Sequence, residues 1–205
     1  GVRNYEGALW ICFGFELLYP LSDVPLVGHH NINNVLAALA ICHAMGLQYE
    51  QLVKGIKILK GLPHRCELVG VRDGVQFVND SKGTNVGATV AALQGLADGQ
   101  NIILVAGGEG KGQAFAPLAK AVSQHAKHTV LIGRDAVSIA EALDAATPHT
   151  FADDMESAVR TATDIAASGD IVLLSPACAS LDMFADYRAR GDAFTAAVQR
   201  CEEVS

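Results

Sequence analysis

The heptapeptide Asn79-Asp80-Ser81-Lys82-Gly83-Thr84-Asn85 gathers a carboxylate, a cation, two hydroxyls and two amides around one glycine. It follows an apolar run and opens another, so the spacing predicts a loop between a strand and a helix. Such a loop can hold an anion, because the first N–H groups of the helix point out of it with positive potential. Helix capping is the structural alternative, yet one cap needs only one of these side chains. The surplus points to a ligand site, since loops on rigid scaffolds often carry function. A second loop, Gly107-Gly108-Glu109-Gly110-Lys111-Gly112, combines a cation with glycines that let the backbone approach a ligand. A mobile turn is its alternative. The loop is neither G-x-G-x-x-G nor G-x-x-x-x-G-K-[ST], and no P-loop occurs among these residues. Asp135 lies after the next strand, where a dinucleotide-binding fold would place an acid, so a non-catalytic NAD-sensing module stays open.

A third loop is Ser175-Pro176-Ala177-Cys178-Ala179-Ser180-Leu181-Asp182. Small residues around Ser180 leave room for a ligand. Ser180 lacks the G-x-S-x-G elbow, which makes it a hydrogen-bonding residue rather than a nucleophile. Cys178 has no evident paired base and reads as a buried small residue. Two further segments stand out. Asn31 and Asn34 follow Gly28-His29-His30 at the start of an apolar helix. Adjacent histidines seldom converge on one ion, and no carboxylate stands at ligand spacing, so no metal site is expected there. In His64-Arg65 the guanidinium is permanently charged and suits phosphate, a surface salt bridge being the alternative.

Composition narrows the classes. The chain has 205 residues and a formal net charge of −7, with 50% hydrophobic and 18% charged residues. An acidic balance argues against a nucleic-acid surface, so any anionic ligand must be held by local cations. Cys12, Cys42, Cys66, Cys178 and Cys201 are odd in number and show no C-x-x-C spacing, which argues against a disulfide framework or zinc. No apolar run approaches a membrane span, and no basic-then-apolar leader follows Gly1. The expectation is a cytoplasmic protein with no membrane partner.

The elements that must position these loops can be read from periodicity. Residues 1–27 predict two short strands joined at Gly14, too few for a sheet of their own, with sequence expected upstream. Two helices follow, Asn33–Met45 and Tyr49–Leu59. The first is so apolar that burial on most sides is expected. A boundary falls in Gly61–Arg65. Beyond it, strands are predicted at Cys66–Val71, Val75–Asn79, Ile102–Ala106, Thr129–Ile132, His149–Phe151 and Ile171–Leu174. The first two are joined at Asp73-Gly74, a hairpin signal. Helices are predicted at Val86–Leu96, Phe115–His125, Asp135–Leu143, Met155–Ala167 and Asp186–Cys201. This alternation describes an α/β, Rossmann-like, mixed but mostly parallel sheet with helices on both faces. Ligands then sit beyond the carboxyl ends of the strands, where all three loops fall.

Taken together, Gly28-His29-His30-Asn31 with Asn34, Gly61-Leu62-Pro63-His64-Arg65, the 79–85 loop and Leu174–Asp182 resemble the Mur ligases in order and spacing over essentially the whole chain. The likeness is strongest to the members that add D-glutamate, and a folylpolyglutamate synthase-like member is the alternative. The resemblance implies ATP and Mg2+ as cofactors and D-glutamate and UDP-N-acetylmuramoyl-L-alanine as partners, joined through an acyl phosphate during peptidoglycan precursor synthesis. It implies residues 1–64 as the C-terminal end of the central ATP-binding domain and 65–205 as the amino-acid-binding domain. The P-loop and metal ligands would precede them, so this chain alone would not catalyse ligation. Carried over by residue, Asn31, Asn34, Arg65 and Asp80 would bind ATP. Lys82, Thr84, Lys111, Ser180, Leu181 and Tyr187 would bind D-glutamate, and Lys82, Asp80 and His64 would be catalytic. The chain departs from the family pattern at Gly83, where alanine is usual, and at Tyr187, where phenylalanine is common.

Overall fold

A computed structural model of the chain describes residues 1–26 and 28–203. The chain divides into two compact units, Gly1–Gly61 and Leu62–Ser205. In the first, strands β1 (Val2–Tyr5), β2 (Ala8–Phe13) and β3 (Glu16–Pro20) form an antiparallel meander, followed by helices α1 (His29–Ala44) and α2 (Tyr49–Lys57). The sheet has three strands rather than the expected two. The missed strand, Val2-Arg3-Asn4-Tyr5, is mostly polar and pairs with β2 across the Glu6-Gly7 turn. Ile11, Val24, Val35 and Ile56 make the unit's small core. The expected burial of α1 on most sides is not met. Among its described side chains only Val35 is buried, and Ile41 is 61% exposed. A helix laid on one side of a single sheet has one face to cover, and α1 carries apolar residues all round.

The second unit is a six-stranded sheet in the order β4 (Glu67–Arg72), β5 (Val75–Asn79), β9 (Ile171–Leu174), β6 (Ile102–Gly107), β7 (Ala126–Ile132) and β8 (His149–Phe151). Only β4 is antiparallel to its neighbour. The turn that joins β4 to β5 uses Asp73 (φ 50°) and Gly74 (φ 78°), as the Asp-Gly pair predicts. Successive residues of a strand point to opposite faces, and β6 shows the consequence. Ile102, Leu104 and Ala106 pack under α3 (Val86–Leu96), α4 (Ala116–His125) and α5 (Ala136–Ala142). Ile103 and Val105 pack under α6 (Met155–Ile165) and α7 (Tyr187–Glu203). Both faces being covered, the central strands can be apolar throughout, and β6 is buried along its full length. The last strand of the chain, β9, enters the middle of the sheet. That placement sets its outgoing loop between those of β5 and β6.

Candidate functional site

Because β5, β9 and β6 are adjacent and parallel, their carboxyl ends share one rim. Main-chain hydrogen bonds connect the three outgoing loops. The Asp80 N–H donates to Leu174 (2.7 Å), Ala177 to Gly83 (2.9 Å) and Gly107 to Pro176 (2.9 Å), while Glu109 and Ala179 donate to each other's carbonyls at 2.9 Å. The loop of Ser180 and Leu181 is therefore bonded directly both to the loop of Lys82 and Thr84 and to the loop of Lys111.

The first loop divides its polar residues by direction. Asn79 and Ser81 are fully buried. The Asn79 side chain accepts from the Ser81 N–H (3.1 Å) and donates to Gly191 (3.0 Å) on α7. The Ser81 hydroxyl donates to the Tyr187 carbonyl (2.7 Å). Asn85 caps α3, accepting from the Ala88 N–H at 2.9 Å. Much of the polar surplus seen in the sequence thus builds the loop, and Lys82 and Thr84 remain half-buried at the rim. The expectation that open N–H groups of α3 serve an anion also changes: Ala88 is capped, and the Val86 N–H donates to the Gln113 side chain at 3.1 Å.

Asp80 is 8% exposed. Burial pushes its carboxyl up to about 6, opposed by hydrogen bonds from the Ser175 hydroxyl (2.7 Å) and the Cys66 N–H (3.3 Å) and by the nearby charge of Arg65. The Ser175 hydroxyl also lies 3.0 Å from that of Thr89. Gly83 fits here for a steric reason, since a β-carbon would stand 2.6 Å from Asp80 Oδ2 and 2.7 Å from Ser175 Oγ. Arg65 itself is exposed. The Lys82 ammonium sits over the Tyr187 ring, 4.1 Å from its centroid, a favourable placement for a cation. His64 meets the same ring edge-on at 6.0 Å. Its Nδ1 lies 3.2 Å from Asn79 Nδ2, and its ring occupies the space a side chain at Gly191 would need. The structure thus gives His64 a packing role beside Lys82, whose N–H donates to the His64 carbonyl at 3.0 Å.

In the second loop Lys111 is exposed and adopts φ 52°. The Gly110 N–H before it donates to Asp135 Oδ2 at 2.6 Å, so the acid that suggested a dinucleotide site instead shapes the lysine loop. In the third, Ser180 is 4% exposed and Leu181 61% exposed. Cys178 is buried, and desolvation with the charges of Asp135 and Asp182 pushes its thiol up to about 12, which leaves it inert as a nucleophile. Asn31 and Asn34 lie one turn apart on α1 in the first unit, with Asn34 Nδ2 3.4 Å from Asn31 Oδ1. The side chains of His29 and His30 lie outside the described residues.

Arg190 was not found by sequence reasoning. It is 1% exposed, and it donates to the Ser81 hydroxyl (3.0 Å), the Ser81 carbonyl (2.9 Å) and the Cys178 carbonyl (3.0 Å). It ties α7 to the first and third loops. Its only sequence signal is its setting between Ala189 and Gly191, small residues that admit close packing. Among the described residues, no group of three or more His, Cys, Asp or Glu side chains is placed to hold a metal ion, and no helix is long and apolar enough to cross a membrane.

Solved structures of several amino-acid ligases share this fold. The UDP-N-acetylmuramate–alanine ligase MurC of Thermotoga maritima covers 88% of the chain, with 39% of its own length matched, at TM-score 0.65 and 16% identity. The bifunctional folylpolyglutamate synthase/dihydrofolate synthase of Yersinia pestis covers 97%, with 44% of its length matched, at TM-score 0.61 and 19% identity. At sequence level, residues 64–178 match the family described as Mur ligase, glutamate ligase domain, and the chain belongs to the Mur ligase family. It is 51% identical over its whole length to the UDP-N-acetylmuramoylalanine–D-glutamate ligase of Aromatoleum aromaticum. It is 49% identical over 96% of its length to the enzyme of that name from Marinobacter nauticus. The chain spans about 44% of the length of these curated relatives.

Proposed function

We propose that residues 65–205 bind D-glutamate in an ATP-dependent ligase that joins it to UDP-N-acetylmuramoyl-L-alanine in the cytoplasm. Residues 1–64 would be the C-terminal end of that ligase's central ATP-binding domain. The single observation that carries the reading is the shared rim of β5, β9 and β6. It sets two lysines and two hydroxyl side chains on three loops joined through the third, in an acidic protein. A dicarboxylate amino acid is the ligand such a set suits, because each carboxylate can take a charge-assisted hydrogen bond. Lys82, Thr84, Lys111 and Ser180 would hold the two carboxylates, with Tyr187 and Leu181 against the aliphatic chain. Held this way, the amine is presented to an activated carboxyl with little loss of entropy left to incur.

ATP is the co-substrate that turns the poor leaving oxygen of a carboxylate into an acyl phosphate. Arg65 and Asp80 suit its phosphates and ribose, and Asn31 and Asn34 its adenine. The exposed guanidinium of Arg65 fits a phosphate contact. Mg2+, when bound, neutralises phosphate charge, and its ligands are expected on other parts of the ligase, as is the P-loop. The exposed apolar side of α1 supports a larger central domain around residues 1–64. The chain alone is not expected to turn over. The identities near 50% to D-glutamate ligases favour D-glutamate over a folylpolyglutamate-type substrate.

The test is Lys82→Ala in the full-length ligase that carries this sequence. Loss of one charge-assisted contact costs about 1.5–3 kcal/mol, which corresponds to a rise in KM for D-glutamate of roughly 10- to 150-fold. Unchanged kinetics toward D-glutamate would overturn the assignment.

A further inference from the structure

Gln113 lies outside every motif considered above, yet its side chain bonds to the start of α3 and to the third loop, and its main chain bonds to the second. Its Oε1 accepts from the Val86 N–H (3.1 Å), the first helical residue after Thr84 and Asn85. Its Nε2 donates to the Ala177 carbonyl (2.6 Å), three residues before Ser180. Ala177 holds φ 60°, a conformation rare for alanine, and its own N–H donates to Gly83. The Gln113 N–H in turn donates to Gly110 (3.2 Å), closing the turn that carries Lys111 at φ 52°. One residue therefore fixes the Lys111 turn to the loop of Lys82 and Thr84 and to the loop of Ser180. A neutral side chain is the right material for this. It satisfies a donor and an acceptor at once and adds no charge that would compete with the lysines for a carboxylate.

We propose that Gln113 is a positioning residue that sets the spacing of Lys111 from Lys82 and Ser180. It thereby selects the chain length of the dicarboxylate amino acid. This rests on the D-glutamate reading for its ligand and on the loop geometry for its mechanism. A five-carbon dicarboxylate spans two anchors held at fixed separation, whereas a four-carbon one reaches both only if a loop gives way. The brace excludes that relaxation, so losing it weakens glutamate binding more than aspartate binding.

The experiment uses the 205-residue chain with Gln113→Met, which keeps length and removes both side-chain hydrogen bonds. Amide hydrogen exchange at Val86 is read first. It should quicken at least about tenfold in Gln113→Met, tenfold being about 1.4 kcal/mol. An unchanged Val86 rate in Gln113→Met overturns the brace whatever the ligand does. Titration with D-glutamate and D-aspartate is read second. The preference for glutamate should fall about tenfold in Gln113→Met, and equal weakening of both ligands, or none, overturns the selectivity role. If exchange changes as stated but the parent chain binds neither acid, the D-glutamate reading fails while the brace stands.

Discussion

Replacing Asp80 by asparagine should make the second unit more stable at neutral pH and leave it unchanged in acid. The carboxyl is 8% exposed and titrates near 6, against 3.8 for an ordinary aspartate, because desolvation outweighs the help of Ser175, Cys66 and Arg65. A group whose folded value is raised contributes stability that is complete below pH 3.8 and is lost as pH rises through about 6. At about 1.4 kcal/mol per tenfold in proton affinity, the charged carboxylate burdens the fold by about 3 kcal/mol above pH 7. Asparagine copies the protonated form: its oxygen can accept from the Cys66 N–H, and the Ser175 hydroxyl can turn to accept from its amide. Hydrogen exchange at the buried β6 amides, followed from pH 7.5 to pH 4, reports the opening free energy of this unit. The variant should exceed the parent by up to about 3 kcal/mol at pH 7.5, the gap closing toward pH 4. A variant equally or less stable at pH 7.5, or a gap independent of pH, would refute the argument. The gain should come with lost ATP use in the full-length ligase, since stability is commonly given up at functional sites.

Arg190→Met should lower stability by about 3 kcal/mol, because it strands two buried carbonyls and a hydroxyl that the guanidinium now satisfies; a denaturation midpoint within error of the parent would contradict this. Gly107→Ala should prevent folding of the second unit, as a β-carbon there would lie 1.9 Å from the Ile132 carbonyl oxygen. Gly112→Ala, with no atom within 4 Å but φ 75°, should cost only about 1 kcal/mol. Circular dichroism of the two variants side by side checks the contrast.

The sequence made legible what depends on local pattern. The Asp73-Gly74 hairpin, the bounds of α3 and the run of fully apolar strands all follow from turn chemistry and periodicity. So did the gathering of the three loops, because parallel strands place their carboxyl ends together. What it could not show depends on long-range placement. Nothing local says that β9 inserts between β5 and β6. Arg190 and the 67%-exposed side chain of Arg188 differ in no sequence property that tells a buried cation from a solvated one. Val2–Tyr5 carries no strand signal because an edge strand need not be apolar, and the composition of α1 gives no direction of burial. The polarity of the 79–85 loop exceeds what one cap needs, yet Asn79, Ser81 and Asn85 use theirs within the fold.

The claim that these loops form one cradle for a dicarboxylate amino acid is tested most directly by nuclear magnetic resonance of the labelled chain titrated with D-glutamate. The account predicts shifts that saturate together at Lys82, Thr84, Lys111 and Ser180, with L-glutamate and NAD leaving those amides in place. Shifts that saturate elsewhere in the molecule, or none at these four residues at high D-glutamate, would contradict it.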